Sequence, residues 1–388
     1  MRFVATVAPG LEATAAEEIR ALGLRVLAAG GGAVAFQGRE EDGQRACLFL
    51  RSARRVLLPV AEYEADGPEA LYEGALAVAW EDHLDLSRTF AVEASVQDAP
   101  TGHSGFAALK VKDAVADRLR RRLGGRPDVD RRDPDLRILV RWRGSRVELS
   151  LDLSGGPLHK RGYRLHSVQA PLNETTAAGI LLLLGYDGTV PFSDPFCGSG
   201  TFAVEAALIA TGTAPGLLRD RPFGFERWPA FRPGRFARLK EEAARRVTRP
   251  ACRIAASDRD GAAVEAARRN ARRAGMEEWI AFATADAREW VPPGKDGILA
   301  TNPPYGDHAG AGEDLPSLYR SFGDALKRRG AGWTAGILCG NPALLKSVGL
   351  RPSRRIPLWN GPQECRLAVY RLVEGTFRGR PAPASSPP

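Results

Sequence analysis

From its first residues the chain alternates apolar and polar positions as an extended strand does, over Phe3 to Val7. It then takes a helical spacing over Leu11 to Leu22, with Glu12, Glu17 and Glu18 near the start, and returns to a strand at Ala33-Val34-Ala35-Phe36. This predicts a small α+β unit over residues 1–45. Residues 46–155 predict a second α+β block: helix Arg45 to Leu50, strand Arg55 to Ala61, helix Glu69 to Ala77, strand Thr89 to Ser95, helix Phe106 to Leu123, and strands Asp135 to Trp142 and Arg146 to Asp152. From Thr175 the texture changes. Helical stretches separate short apolar runs at Thr189 to Phe192, Cys252 to Ala256, Ile280 to Thr284, Gly297 to Ala300 and Gly332 to Leu338, the pattern of a parallel sheet with crossover helices. Arg355 to Trp359 and Arg366 to Leu372 follow with no helix between them, so the sheet is expected to finish antiparallel. Residues 156–170 read as a linker rich in turn formers and cations, 171–373 as the α/β domain, and 374–388, dominated by Pro, Ala and Ser, as a disordered tail.

A length of 388 residues suits two or three domains, in line with that division. No apolar run approaches the roughly 20 residues of a membrane span, and the N-terminus lacks the long apolar stretch of a signal peptide. A cytoplasmic protein with no membrane role is expected. Cys47, Cys197, Cys252, Cys339 and Cys365 are scattered and show no Cys-x-x-Cys spacing, which argues against a disulfide framework or a zinc site; no metal is expected. A net charge of +9, carried mostly by arginine, favours a polyanionic partner, although a solvated basic surface would look the same. Lys110, Lys112, Arg121 and Arg122 gather on the helix from Phe106, and Lys160, Arg161 and Arg164 in the linker. Cations at a helix C-terminus also complement its dipole, but phosphate binding is the preferred reading of both groups.

The strongest local signal is Asp194-Pro195-Phe196-Cys197-Gly198-Ser199-Gly200-Thr201, set between a short strand and the helical run Ala203 to Ala210. Gly198 and Gly200 allow a sharp turn close to a ligand, and Asp194 is placed to hold an ammonium group. The loop lacks the Gly-Lys-Ser/Thr of a P-loop and the full dinucleotide spacing. Two later strand ends strengthen it, one at Asp258 and one at Asp286-Ala287. Carboxyl ends of neighbouring parallel strands face one crevice, so the three aspartates are expected to converge there. Asp258 would accept ribose hydroxyls and Asp286 an adenine amine, while Asp260 caps the following helix. Gly200 and Asp258 stand much further apart than the roughly 20 residues of a dinucleotide fold, so residues 213–250 are read as an insertion that touches RNA or packs over the helix.

The fourth strand of this domain runs into Asn302-Pro303-Pro304-Tyr305. The prolines stiffen the loop and donate nothing, which leaves the Asn302 side chain and the Pro303 carbonyl as acceptors. An exocyclic base amine needs such acceptors, because its lone pair is delocalised and must be oriented to attack. Tyr305 offers a face for an extruded base. His308 beside the loop is read as a surface residue.

These motifs resemble the class I amine methyltransferases. Together with Phe3-Val4-Ala5-Thr6, Pro9-Gly10-Leu11-Glu12, Ala108-Leu109-Lys110-Val111-Lys112-Asp113-Ala114, Val129-Asp130-Arg131, Leu151-Asp152-Leu153-Ser154-Gly155 and Leu158-His159-Lys160-Arg161-Gly162-Tyr163-Arg164, they resemble the bacterial 23S rRNA guanine-N2 methyltransferase family with a THUMP domain. The resemblance implies a ferredoxin-like start, a THUMP RNA-binding domain and a Rossmann-like methyltransferase domain whose mixed, mostly parallel sheet has seven strands, using S-adenosylmethionine. Ala170-Pro171-Leu172-Asn173-Glu174-Thr175 resembles the segment that closes over the methionine end of the cofactor, which implicates Asn173, Glu174 and Thr175 and also brings Asn302 to the cofactor. Asn360-Gly361-Pro362 before Glu364-Cys365-Arg366-Leu367 resembles the closing hairpin. The implied protein is a monomer acting on RNA, 23S rRNA or tRNA; DNA adenine methylation and a non-catalytic RNA-binding ribosome-assembly factor are the alternatives.

Overall fold

The computed structural model describes residues 1–164, 172–306, 314–361 and 363–374. Residues 165–170 of the expected linker and the expected tail from 375 onward lie outside them, as do Pro171, His308 and Pro362.

The N-terminal half runs β1 (Arg2–Val7), α1 (Glu12–Ala21), β2 (Arg25–Gly30), β3 (Ala33–Gln37), α2 (Glu40–Phe49), β4 (Ala53–Glu64), α3 (Pro68–Ala77), β5 (Phe90–Gln97), α4 (Ser104–Leu123), β6 (Leu136–Arg143) and β7 (Arg146–Asp152). The two expected α+β units share one sheet of order β2-β3-β1-β4-β7-β6-β5. The reason is β4: its first residues pair with β1 and its last with β7, the register shifting between Pro59 and Ala61. A bulge of this kind accommodates a proline that cannot serve a regular ladder. The expected boundary at residue 45 falls inside α2, which begins five residues before its expected start, where Asp42 accepts the Arg39 amide. β2 went unforeseen. It is an edge strand that is exposed at nearly every position, so it carries no alternation to read.

The C-terminal half runs α5 (Glu174–Leu183), β8 (Phe192–Asp194), α6 (Thr201–Ala210), α7 (Pro233–Arg245), β9 (Ile254–Asp258), α8 (Gly261–Arg273), β10 (Ile280–Thr284), β11 (Gly297–Thr301), α9 (Leu315–Arg329), β12 (Trp333–Cys339), α10 (Pro342–Ser347), β13 (Arg354–Asn360) and β14 (Gln363–Arg371). Its sheet has the order β10-β9-β8-β11-β12-β14-β13. β8 to β12 are parallel and β14 is antiparallel to both its neighbours, as the sequence predicts for this Rossmann-like architecture. The inserted residues 213–250 supply α7 and an aromatic cluster. Phe223 and Phe225 stack with centroids 5.4 Å apart and meet Phe236 edge-on, so the aromatic side chains of this stretch pack inward while Arg221 stays exposed.

One hydrophobic core crosses both halves, joining Leu11, Phe36 and Trp142 to Ile180, Phe192 and Leu208. At the seam a Cβ on Gly179 would lie 2.5 Å from Leu11, so only a residue without one lets α5 approach so closely. Among the described residues no helix is long and apolar enough to cross a membrane.

Candidate active site

The order β10-β9-β8-β11 sets four carboxyl ends side by side, and the register places Thr284 opposite Asp258 and Asp194 opposite Ala256. The loop after β8 is pinned to the end of β9. The Cys197 amide donates to the Ser257 carbonyl at 2.9 Å and the Gly198 amide to Asp258 Oδ2 at 3.0 Å. Asp258 Oδ1 accepts the Asp260 amide at 3.0 Å, so each oxygen keeps acceptor capacity for a further partner. Asp260 caps α8 as expected, accepting from Ala262. Gly200 has φ +82°, and a Cβ there would stand 2.9 Å from Ala267 of α8; the loop can lie this low on the sheet only because Pro195 to Thr201 includes such a residue. Beneath it Asn270 donates to the Ser199 carbonyl at 3.0 Å. A fully buried asparagine on the apolar face of α8 is a signal that sequence reading could have used.

Asp194 is buried and accepts the Thr301 hydroxyl at 2.7 Å and the Phe196 amide at 3.3 Å. Burial pushes its carboxyl up to about 7 against those two hydrogen bonds, and the nearby Asp258 charge adds to the rise. Asp286 behaves oppositely. Arg288, which the sequence did not single out, grips both its oxygens and holds its carboxyl below the usual range. The expected acceptor for an adenine amine is therefore already engaged, although so exposed a pair costs little to open. Ala287 beside it is buried.

Past Thr301, the Oδ1 atom of Asn302 is buried with no hydrogen-bond partner among the described residues. Such an atom retains its acceptor capacity for a ligand or a water. Pro303 is buried, and the Pro304 carbonyl accepts from Tyr319 of α9 at 3.2 Å, which fixes the loop from behind. The Tyr305 ring lies against Gly340, where a Cβ would approach it to 2.6 Å. Its hydroxyl is 4.0 Å from Cys365 Sγ and hydrogen-bonded to the Asn360 side chain, and burial is the main cause of its raised pKa. Asn360 in turn accepts the Asn173 amide at 3.3 Å, joining the Tyr305 loop to the segment expected at the methionine end. Tyr319 and Gly340 were not anticipated, and Asn360 was expected only as part of the closing hairpin.

Beside Asn173, Glu174 Oε2 and Thr175 Oγ1 are also buried without hydrogen-bond partners among the described residues. Burial raises the Glu174 carboxyl, and the Arg164 charge opposes the rise. Two of these atoms stand at the start of α5 and the third just after β11, at positions the resemblance assigns to cofactor and substrate. A ligand bearing ammonium, hydroxyl and amine groups fits this set of donors and acceptors.

Two of the expected RNA contacts are corrected. Arg161 is buried, donating to the Leu158 and Arg51 carbonyls with Glu205 of α6 at 3.5 Å, and a guanidinium so enclosed cannot meet a phosphate. Arg164 donates to Thr201 Oγ1 at 2.8 Å and to the Leu172 carbonyl, with Glu174 at 3.3 Å; it builds the wall of the site. Lys160 and Arg121 are exposed, whereas Lys110, Lys112 and Arg122 are engaged by Glu69, Asp113 and Glu81.

Comparison with known proteins gives this geometry a context. Residues 2–57 match the RlmL ferredoxin-like domain, 67–152 the THUMP domain and 161–369 the RMKL-like methyltransferase domain. The ribosomal RNA large subunit methyltransferase K/L of Syntrophotalea carbinolica is 42% identical over 99% of this chain and 55% of its own length. The protein of the same name from Allochromatium vinosum is 41% identical over 97% of this chain and 52% of its own. The chain thus spans about half the length of the curated relatives it matches. Among solved structures, a methyltransferase complexed with SAH superposes with a TM-score of 0.87 at 30% identity, covering 97% of this chain and 99% of that one. A Listeria monocytogenes protein described as a predicted N6-adenine-specific DNA methylase gives 0.85 at 31% identity over 95% of each chain. With its methyltransferase half matched almost end to end, the chain belongs to the RMKL-like methyltransferase family, fused to RlmL ferredoxin-like and THUMP domains.

Proposed function

We propose that the chain transfers a methyl group from S-adenosylmethionine to the exocyclic N2 amine of a guanosine in structured RNA, 23S rRNA in particular. The observation that carries this reading is the buried, unpartnered Asn302 Oδ1 at the end of β11, next to the Asp194 loop. The relatives named for the ribosomal large subunit and the neighbour holding SAH support substrate and cofactor.

In this reading Asp194, ionised, holds the ammonium of the cofactor's methionine, with Glu174 and Thr175 closing that end. Asp258 accepts from the ribose hydroxyls through its remaining lone pairs. When bound, the cofactor supplies a methyl group on a sulfonium, which is already a good leaving group. The chain's task is therefore positioning. Asn302 Oδ1 and the Pro303 carbonyl take the two amine hydrogens and turn the nitrogen lone pair toward the methyl group, which replaces a chance encounter with an aligned one. The Tyr305 face, braced by Gly340 and Asn360, receives a base that must leave its stack to react.

The same acceptor pair suits the N6 amine of adenine, and the Listeria protein bears that description. The THUMP match favours RNA over DNA. Incubation with S-adenosylmethionine and either deproteinised 23S rRNA, bulk tRNA or DNA, followed by nucleoside mass spectrometry, separates the readings. N2-methylguanosine gained in 23S rRNA is the expected result; N6-methyladenine in DNA, or N2-methylguanosine in tRNA alone, would refute it.

A further inference from the structure

Much of the chain's positive charge is matched locally, as on α4. At the junction of the two halves the matching fails. A cavity of about 710 Å³ opens there, bordered by Arg131 and Arg132 from the N-terminal half, Arg221 from the C-terminal half and Lys160 from the segment between them. All four are exposed, and none makes a side-chain hydrogen bond or ion pair with another described residue. Each carboxylate that borders the same cavity is paired with another cation. Glu93 is taken by Arg55 and Arg137, Asp133 by Arg227, Glu174 by Arg164 and Asp220 by Arg273. His159, also on the wall, is pushed down to about 4, by burial first and then by Lys160, Arg161, Arg164 and Arg54. Burial is the larger cause, and the surrounding cations add to it because crowding by positive charge favours a neutral imidazole.

The cavity is too small for a duplex and large enough for a few units of one strand. Its wall includes Asn173 and Glu174, and Asn173 is hydrogen-bonded to Asn360, which holds the Tyr305 hydroxyl. These two hydrogen bonds connect the cavity wall to the ring proposed to receive the base.

We propose that this cleft seats the unpaired RNA strand that flanks the target nucleotide, with Arg131, Arg132, Lys160 and Arg221 on its phosphates. The proposal rests on the RNA-substrate reading above. It keeps Lys160 of the expected RNA contacts and moves the rest of the track from α4 to the seam between the halves. Unpaired cations converging on one concavity cost nothing to free from a partner, and a neutralised phosphate releases its counterion.

The test compares three full-length proteins: wild type, the quadruple variant R131A/R132A/K160A/R221A, and the α4 variant K110A/R121A/R122A. Binding to a single-stranded RNA spanning the modified region is measured by fluorescence anisotropy at several salt concentrations, with S-adenosylmethionine affinity by calorimetry as the control for folding. For the quadruple variant RNA binding should weaken by about tenfold or more. Its log–log salt slope should flatten by about 3, since each single-strand contact contributes about 0.7. Cofactor affinity should stay within about twofold, and the α4 variant should resemble wild type. A quadruple variant with the wild-type slope, or an α4 variant that loses as much, overturns the cleft while leaving the enzymatic reading intact. Wild-type protein that binds no RNA overturns both.

Discussion

The Thr301 hydroxyl donates to Asp194 Oδ1 at 2.7 Å, which ties the last residue of β11 to the last residue of β8. One hydrogen bond thereby links the loop that carries Asn302 to the loop that carries Gly198 and Gly200. Replacing the donor leaves a buried carboxyl short of a partner, a loss of about 1–3 kcal/mol. Thr301→Val should therefore lower the unfolding midpoint in urea and weaken both cofactor binding and turnover. Thr301→Ser should restore all three, and a Val variant indistinguishable from wild type would show the two loops to be independent.

Cofactor binding should depend on pH through Asp194. Its pKa when folded, about 7, exceeds its ordinary 3.8 because burial disfavours the charge. The folded chain thus holds this proton more tightly, and the group's contribution to stability is complete below about pH 4 and lost as the pH rises through 7. Only the ionised form attracts an ammonium. Affinity for S-adenosylmethionine should fall by up to about tenfold per unit below pH 7, and Asp194→Asn should bind weakly with no such slope. Calorimetry between pH 5.5 and 8.5 checks this; a flat wild-type profile would remove Asp194 from that role.

Gly340 sets the position of the Tyr305 ring. A methyl group there would enter to 2.6 Å of the ring, so Gly340→Ala must displace it. Displacements of about 1 Å can cost about a hundredfold when alignment is the source of rate. Turnover on RNA should drop by one to two orders of magnitude while cofactor affinity holds. Equal activity would mean that the ring's placement does not matter.

Arg161 should matter for folding and not for RNA. It lies with the Tyr163 hydroxyl, 3.0 Å from Glu205, in a sealed polar cluster under α6. Removing one partner of a buried ion pair costs about 3–5 kcal/mol. Arg161→Ala should shift the thermal or urea midpoint by a corresponding margin, whereas RNA affinity per folded molecule should not change. A stable variant with weak RNA binding would reverse the assignment.

The parts that were legible in the sequence are those whose geometry is local. A strand, a glycine turn and a helix follow one another between Phe192 and Ala210, and the parallel-sheet rule then brings Asp258 to Gly198 across 60 residues. Asn302 was legible for the same reason, because it directly follows a strand. What eluded the sequence depends on distant partners. Arg161 and Arg164 look like solvated linker charges until Glu205 and Thr201 are seen to face them. Tyr319, Gly340 and Asn360 come from distant parts of the sequence that meet at the loop of residues 302–305 only in the folded chain. β4 was predicted from its apolar run, but its division between two sets of neighbours is invisible in alternation.

In the proposed mechanism Asn302 is the acceptor that aligns the substrate amine. Single-turnover methyl transfer to 23S rRNA by Asn302→Ala, measured alongside its calorimetric affinity for S-adenosylmethionine, addresses that claim most directly. Transfer slowed by about a hundredfold or more with cofactor affinity within about twofold is the predicted outcome. Parallel loss of both, or transfer at the wild-type rate, would contradict it.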